Sequence, residues 1–440
     1  MHYSTFYNIM PDGTVKQINP FTGNEVWAVP GRAFKPSQNG LGAVEPVLAL
    51  EGIDPEAVCS FCEKRYYEVA PEKSRWVRSG SSWIELVDLL PEQYFDTTAE
   101  FRRVANLFEI VTLDYWRKNY GYNMPEHELK RMQQYMDSPL GRKHLADIVA
   151  YKLSFSNGSG QPKELTETEI LHHGEPFFGG CHEVIIARKH FKPDATTSTD
   201  LISSGELTAE EHEYYFRMTV ESLRQIILRN RYVRYVSVFQ NWLRPAGASF
   251  DHLHKQLVGL DEWGASITRQ VKMLKDDPNV FNEYGANFAA MYNLVFAEND
   301  YAIAFIGIGH RFPTIEIFSK SYNARPYEHT AEELRGISDL VHACHAATGA
   351  NISCNEEWYY SPVDSVVKMP WHVLIKWRIN VTAGFEGGTS IFINPMTPVE
   401  LRDRIVPKLY TLRDAGKIAG GIRIAEECYL EPNPLKYYLR

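Results

Sequence analysis

The sequence predicts an α+β fold in which one strand–helix–strand unit occurs twice, and two observations carry that expectation. Three landmarks recur in one order at matching intervals: His190 to Thr208 spans 18 positions and His310 to Thr330 spans 20, while Thr208 to His252 spans 44 and Thr330 to His372 spans 42. Chance seldom aligns three landmarks so closely, so an internal duplication follows. Each unit also carries a helix-start signal, Thr208-Ala209-Glu210-Glu211 and Thr330-Ala331-Glu332-Glu333, in which a Glu stands three residues after a Thr. Residues 1–260 and 261–440 are therefore expected to form two units, each an antiparallel sheet with a long helix, fused into one body through their sheets.

Along the chain, residues 19–23 and 29–31 read as turns around a short strand at 25–29. Residues 98–118 and 125–153 carry apolar side chains at three- and four-residue intervals and predict helices. This helical stretch is an insertion ahead of the first strand that leads to the site. A polar run at 166–175 precedes a strand at 183–188, and His172-His173 within it reads as loop. The helix opened by Thr208 should run to about residue 231, followed by a β-rich segment at 233–240 and a Gly- and Pro-containing loop at 241–250. The alternation at 251–258 suits a strand. In the second half, 301–308 and 371–377 read as strands, and 351–360 suits either a strand or a loop.

Composition narrows the function classes. With 440 residues and 44% hydrophobic content the chain is long enough to bury a sizeable core. Its net charge of −9, with no segregated basic face, argues against nucleic-acid binding. No window reaches the roughly 18 apolar residues of a membrane span, and residues 1–20 have neither a basic start nor an apolar stretch. A soluble, cytoplasmic protein is expected. Six cysteines are too sparse for a disulfide scaffold. Only Cys59 and Cys62 are close, as Cys-Ser-Phe-Cys, which fits half a zinc site, a redox pair or coincidence. Cys181, Cys344, Cys354 and Cys428 read as small buried hydrophobes.

The chemistry concentrates in His252-Leu253-His254-Lys255-Gln256. On a strand, residues two apart share a face, so two imidazoles and an amide would stand together. Such a face is costly to bury without a role. Imidazole either binds a metal or attacks an electrophile. With Cys59, Cys62 and one further His, one ring of the pair could complete a Cys2His2 tetrahedron while the other stays free as a nucleophile. Asn241, Ser249, Gln256 and loop amides could hold phosphate oxygens.

These residues resemble a family. The run from Asn241 through Gly247-Ala248-Ser249-Phe250-Asp251-His252-Leu253-His254-Lys255-Gln256 is similar to the active-site segment of galactose-1-phosphate uridylyltransferases. Those enzymes and the related ADP-glucose phosphorylases belong to the histidine-triad superfamily. Asn19-Pro20-Phe21-Thr22-Gly23 with Val29-Pro30-Gly31-Arg32, the Cys59/Cys62 pair, Gly180-Cys181-His182-Glu183 through His190, and Ala383-Gly384-Phe385-Glu386 resemble further segments of that family, in order. The resemblance implies two fused histidine-triad-like repeats, with His254 as nucleophile and Gln256 bonded to the phosphoryl group. It implies a structural Zn2+ on Cys59, Cys62, His190 and His252, nucleotide contacts from Asn241, Gly247, Ser249 and Arg32, and sugar contacts from Phe385 and Glu386. The implied activity is nucleotidyl transfer from a nucleotide diphospho-sugar to a sugar 1-phosphate or inorganic phosphate, in a homodimer. A nucleotide-conjugate hydrolase and a non-catalytic nucleotide-binding relative are the alternatives. Pro370-Trp371-His372 stands where the family often has His-Trp-His, which argues against the second metal site of some relatives.

Overall fold

The computed structural model describes residues 5–31, 47–156 and 165–439. Twelve of the described strands form one sheet. From edge to edge the order is Arg423–Ile424, Val295–Glu298, Ala302–Gly307, Thr314–Ser319, His372–Trp377, Cys354–Tyr359, Tyr235–Trp242, His254–Leu260, His182–Ala187, Ala99–Ala105, Glu72–Ser79 and Ser82–Val87. Every neighbouring pair is antiparallel. Cys354–Tyr359 and Tyr235–Trp242 meet at the centre, with Asn355 opposite Asn241. The strands on the two sides of this seam follow mirrored positions, apart from the time at which the chain visits the outermost strand.

A long helix connects the third strand from the seam to the first on each side: Ala209–Arg229 and Ala331–Thr348. Both start as the capping boxes require. Thr208 accepts from the Glu211 amide at 3.1 Å, Thr330 accepts from the Glu333 amide at 3.3 Å, and each Glu carboxylate accepts back from the Thr amide at 2.8 Å. The helices pack on each other and on one face of the sheet, where His212 Nδ1 meets Ser338 Oγ at 2.7 Å. Beneath them Lys255 from one side of the seam donates to Glu356 from the other at 2.6 Å, both side chains fully buried. Glu356 also accepts from His345 Nε2 at 2.8 Å and Trp358 Nε1 at 2.6 Å; against the opposing effect of burial, Lys255 and His345 hold its carboxyl well below the usual range.

A second, four-stranded sheet joins Tyr7–Ile9, Val15–Ile18, Glu25–Ala28 and Ile391–Asn394, the last pair parallel. It is pinned to the large sheet by Asn19 Nδ2 on the Ile308 carbonyl (2.9 Å) and by the Gly309 amide on Gln17 Oε1 (3.1 Å). Gly309 has φ +65°, and a Cβ there would sit 2.1 Å from the Asn19 nitrogen, so only glycine permits this approach.

Four helices, Leu113–Tyr120, Glu126–Asp137, Pro139–Ser156 and Glu167–Gly179, lie between strands Ala99–Ala105 and His182–Ala187. The last three share a core of Met132, Tyr135, Met136, Leu145, Ile148, Phe177 and Phe178, while Leu113 and Trp116 of the first pack into the main core. The helical insertion is therefore present, but two local expectations differ. Residues 99–105 form a strand rather than a helix. Arg102 and Arg103 are both buried there, Arg102 under the Tyr66 ring at 3.4 Å and Arg103 at 3.5 Å from Glu183, so charged residues erase the period-two alternation. His172 and His173 lie on the helix Glu167–Gly179, not in a loop, because Thr166 and Glu169 close a capping box ahead of them. Among the described residues no helix is long and apolar enough to cross a membrane.

Candidate active site and metal centre

With helices on one face of the sheet, the other presents its side chains to clefts. One, of about 450 Å³, is lined by His254, Gln256, Ser249, His182 and Asn106 at its polar end, and by Phe61, Val69, Val104, Phe108, Val184 and Phe250 along its walls.

The strand carrying His254 begins at that residue. His252 stands just before it, in a bend rather than on the strand expected from the alternation, and this lets the two rings take separate partners. His252 Nε2 donates to the Ala187 carbonyl at 2.6 Å, leaving Nδ1 as a lone-pair donor, 3.5 Å from Cys59 Sγ and 3.8 Å from Cys62 Sγ. His190 Nδ1 lies 3.6 Å from Cys59 Sγ and 3.4 Å from Cys62 Sγ, and the two sulfurs are 3.6 Å apart. A tetrahedral zinc with sulfur at about 2.3 Å and nitrogen at about 2.0–2.1 Å requires S···S near about 3.8 Å and S···N near about 3.6 Å. The four donors thus fit a closed tetrahedral ion. As bare groups, the two thiols share a proton: the hydrogen bond between them drives Cys62 down and Cys59 up. The set ties the 59–62 turn to chain segments more than a hundred residues away, and Phe61 within that turn reaches the His254 ring at 5.2 Å.

His254 Nδ1 lies 2.7 Å from the His252 carbonyl, which only accepts, so Nδ1 carries the proton and Nε2 keeps its lone pair. Burial pushes the imidazole down to about 4, so the ring is neutral at neutral pH. A buried neutral imidazole lining a cleft can act as a nucleophile.

Gln256 shares the cleft two residues on. Its Oε1 is 3.1 Å from His182 Nε2 and 3.3 Å from Asn106 Nδ2. The Ile110 amide donates to His182 Nδ1 at 3.2 Å, which fixes the proton on Nε2 and makes His182 a donor to Gln256. Burial keeps His182 neutral by pushing it down to about 4. With Oε1 held from two sides, the Gln256 NH2 group is left to meet a ligand oxygen. His182 and Asn106 had no role in the sequence reading. His182 lay inside a motif with nothing to distinguish it, and Asn106 is 150 positions from Gln256, close only through the sheet.

Among the other expected residues, Ser249 lines the His254 cleft. Asn241 lies two residues beyond Phe239, which pairs with Gln256, and faces a different cleft of about 510 Å³, which shares no lining residue with that of His254. Asn355 Nδ2 donates to Asn241 Oδ1 at 2.7 Å and to the Ala246 carbonyl at 2.8 Å, holding the loop in which Gly247 takes φ +88°. Phe385 and Glu386 sit on a short helix, Gly384–Thr389. There Phe385 is exposed, Glu386 accepts from the Ala383 amide at 2.8 Å, and neither lines the His254 cleft. Arg32 lies outside the described residues.

Residues 10–437 match the model of a family described as a domain of unknown function, DUF4921. The chain belongs to the DUF4921 family. No curated protein matches it. Among solved structures, this DUF4921 chain is similar to an ADP-glucose phosphorylase from Arabidopsis thaliana solved with bound ADP-glucose. The identity is 17% and the TM-score 0.57, over 89% of this chain and 97% of that one. It is also similar to a GALT-like protein from the same plant, at 17% identity and TM-score 0.52, over 80% of this chain and 92% of that one. The DUF4921 chain thus has the α+β fold that its motifs implied, at an identity that carries the fold alone.

Proposed function

We propose that this protein is a nucleotidyltransferase that takes a nucleotide diphospho-sugar and passes the nucleotide to a phosphate-bearing acceptor, a sugar 1-phosphate or inorganic phosphate. The observation that carries this is the tie of His254 Nδ1 to the His252 carbonyl, which leaves a neutral Nε2 beside Gln256 in a cleft. In the first step His254 Nε2 attacks the α-phosphorus. The N–P bond forms, the P–O bond to the β-phosphate breaks, and a sugar 1-phosphate leaves. In the second, an acceptor phosphate oxygen attacks the same phosphorus, the N–P bond breaks, and the neutral imidazole returns. Gln256, oriented by His182 and Asn106, donates to a phosphoryl oxygen as charge moves onto it. Ser249, Asn241 and Gly247 contact the nucleotide, with Arg32. Cys59, Cys62, His190 and His252 hold a structural zinc, which stiffens the turn that sets Phe61 against His254.

The mirrored strand order supports a division into units 1–260 and 261–440. Phe385 and Glu386, in the second half, do not line the His254 cleft, and their contact with the sugar and the homodimer rest on the family resemblance. The six free cysteines suit a cytoplasmic protein. The test is partial exchange: labelled sugar 1-phosphate is incubated with ADP-sugars and UDP-sugars and no other acceptor. Label entering the nucleotide sugar without net loss of nucleotide supports the two-step route. Net release of free nucleotide without exchange makes water the acceptor and contradicts it.

A further inference from the structure

A second cleft, of about 430 Å³, opens on the same face across the seam, between strand His372–Trp377, helix Ala265–Asp276 and the turn around Phe21 and Thr22. It shares no lining residue with the His254 cleft and is continuous with the Asn241 cleft through Asn355, Glu357, Tyr359 and Arg378. Its floor is a row of rings: Tyr359 stacks on His372 (5.3 Å, 12°) and His372 on Phe318 (4.3 Å, 4°), with Phe281 5.5 Å from His372. His372 stands where His254 stands, since each opens its strand and turns Nδ1 to the carbonyl two residues earlier, at 2.9 Å to Pro370 and 2.7 Å to His252. Two residues on, Leu374 replaces Gln256. This cleft has the floor of a ligand site without the amide that would assist a phosphoryl transfer.

Two polar groups on its walls have no partner among the described residues. Gln270, 5% exposed, has a buried and unbonded Oε1. Arg378 has a buried and unbonded Nε, although its Nη1 donates to Asn355 Oδ1 at 2.8 Å and its guanidinium lies 4.4 Å over Phe312. Buried groups of this kind are normally bonded. One needs a donor from the cleft and the other an acceptor. The carboxylates are already engaged: Glu316 with His310 at 2.7 Å, and Glu357 with Lys376 at 2.5 Å and the Tyr359 hydroxyl at 2.6 Å. Arg311 and Arg378 then leave the lining with surplus positive charge.

We infer that this cleft binds a phosphorylated sugar. A phosphate oxygen accepts from Arg378 Nε, a sugar hydroxyl donates to Gln270 Oε1, and the sugar ring lies against Tyr359, the one ring of that row that is not buried. The site is distinct from the His254 cleft and stands whether or not nucleotidyl transfer occurs there.

The test is calorimetric titration of the full chain carrying His254→Ala with a hexose 1-phosphate, repeated after adding Arg378→Met or Gln270→Leu. The expected result is a binding event that each change weakens by about tenfold or more, as loss of a bond to a charged or buried partner should. A Ser249→Ala, Gln256→Ala pair should leave that event unchanged. Inorganic phosphate and the free hexose, titrated alone, should each bind about tenfold or more weakly than the ester. Unaltered binding in both cleft variants, with unfolding temperatures matching the parent, overturns the site. Equal affinity for inorganic phosphate overturns its assignment to a sugar. Gln270→Leu lies on a helix wall away from the seam, so it reads the outcome even if Arg378→Met fails to fold.

Discussion

The two clefts on the open face occupy matching positions in the sheet, yet only one is equipped for chemistry. In each, a histidine opens the second strand from the seam, buried and neutral, with Nδ1 bonded to the backbone two residues back. Around His254, Gln256 follows two residues later with its amide fixed by His182 and Asn106, and His252 two residues earlier joins a Cys2His2 set. Around His372 the same positions hold Leu374 and Pro370. One platform, used twice, becomes a candidate catalytic centre through Gln256 on the strand, His252 just before it, and the partners that each meets from other parts of the chain. Fold similarity alone does not distinguish the clefts.

The largest effect should separate the two histidines. His254→Ala is expected to lower nucleotidyl transfer by about a thousandfold or more, as loss of a covalent nucleophile does. His372→Ala should leave turnover within about threefold, since it has no amide partner and no reacting group beside it. Comparable losses in steady-state assays of the two variants would erase the distinction.

Next comes the seam. Lys255→Met leaves Glu356 buried without its cation and should cost about 3–5 kcal/mol in chemical denaturation. Lys255→Met with Glu356→Leu should recover much of that loss. The Glu356 carboxyl is held below its unfolded value, so its contribution is complete above an unfolded pKa of about 4.3. It is lost as pH falls from there through the folded value. The gap between the parent and Lys255→Met should therefore be largest at neutral pH and narrow as the pH falls, because the buried carboxyl left without its cation takes up a proton at a higher pH than in the parent.

Zinc should belong to one side only. One ion per chain is expected by elemental analysis, and none in Cys62→Ser. Stripping it should reduce transfer by about tenfold to a hundredfold, because the ion positions groups and does not polarise substrate. Sugar phosphate binding at the Arg378 cleft should be unaffected. The smallest effect concerns His182. His182→Phe removes one donor to Gln256 and should lower kcat by about tenfold. In a Gln256→Ala background the same change should be nearly silent, as a double-mutant cycle would read.

Much of this was legible in the sequence because it was written in local signals. The capping boxes at Thr208 and Thr330 lie within four residues each, and both helices start where those signals place them. The metal set was readable only through family resemblance, since its cysteines and histidines lie far apart in the chain and meet through the sheet. The strand Ala99–Ala105 was hidden because its buried positions include Arg102 and Arg103, held by a ring and a carboxylate that arrive from elsewhere. His182 and Asn106 were hidden for the same reason, their meaning residing in a cross-strand contact. The unbonded Gln270 Oε1 and Arg378 Nε have no sequence signature at all, because lack of a partner for one atom is a property of packing.

The central claim is that His254 carries the nucleotide. Intact-mass spectrometry after brief exposure of the full chain to ADP-sugars and UDP-sugars tests it most directly. The account predicts a mass gain of one nucleoside monophosphate with the preferred sugar nucleotide, absent in His254→Ala and retained in His372→Ala. Turnover of that nucleotide sugar with no adduct on the quenched protein, or the same adduct in His254→Ala, would contradict it.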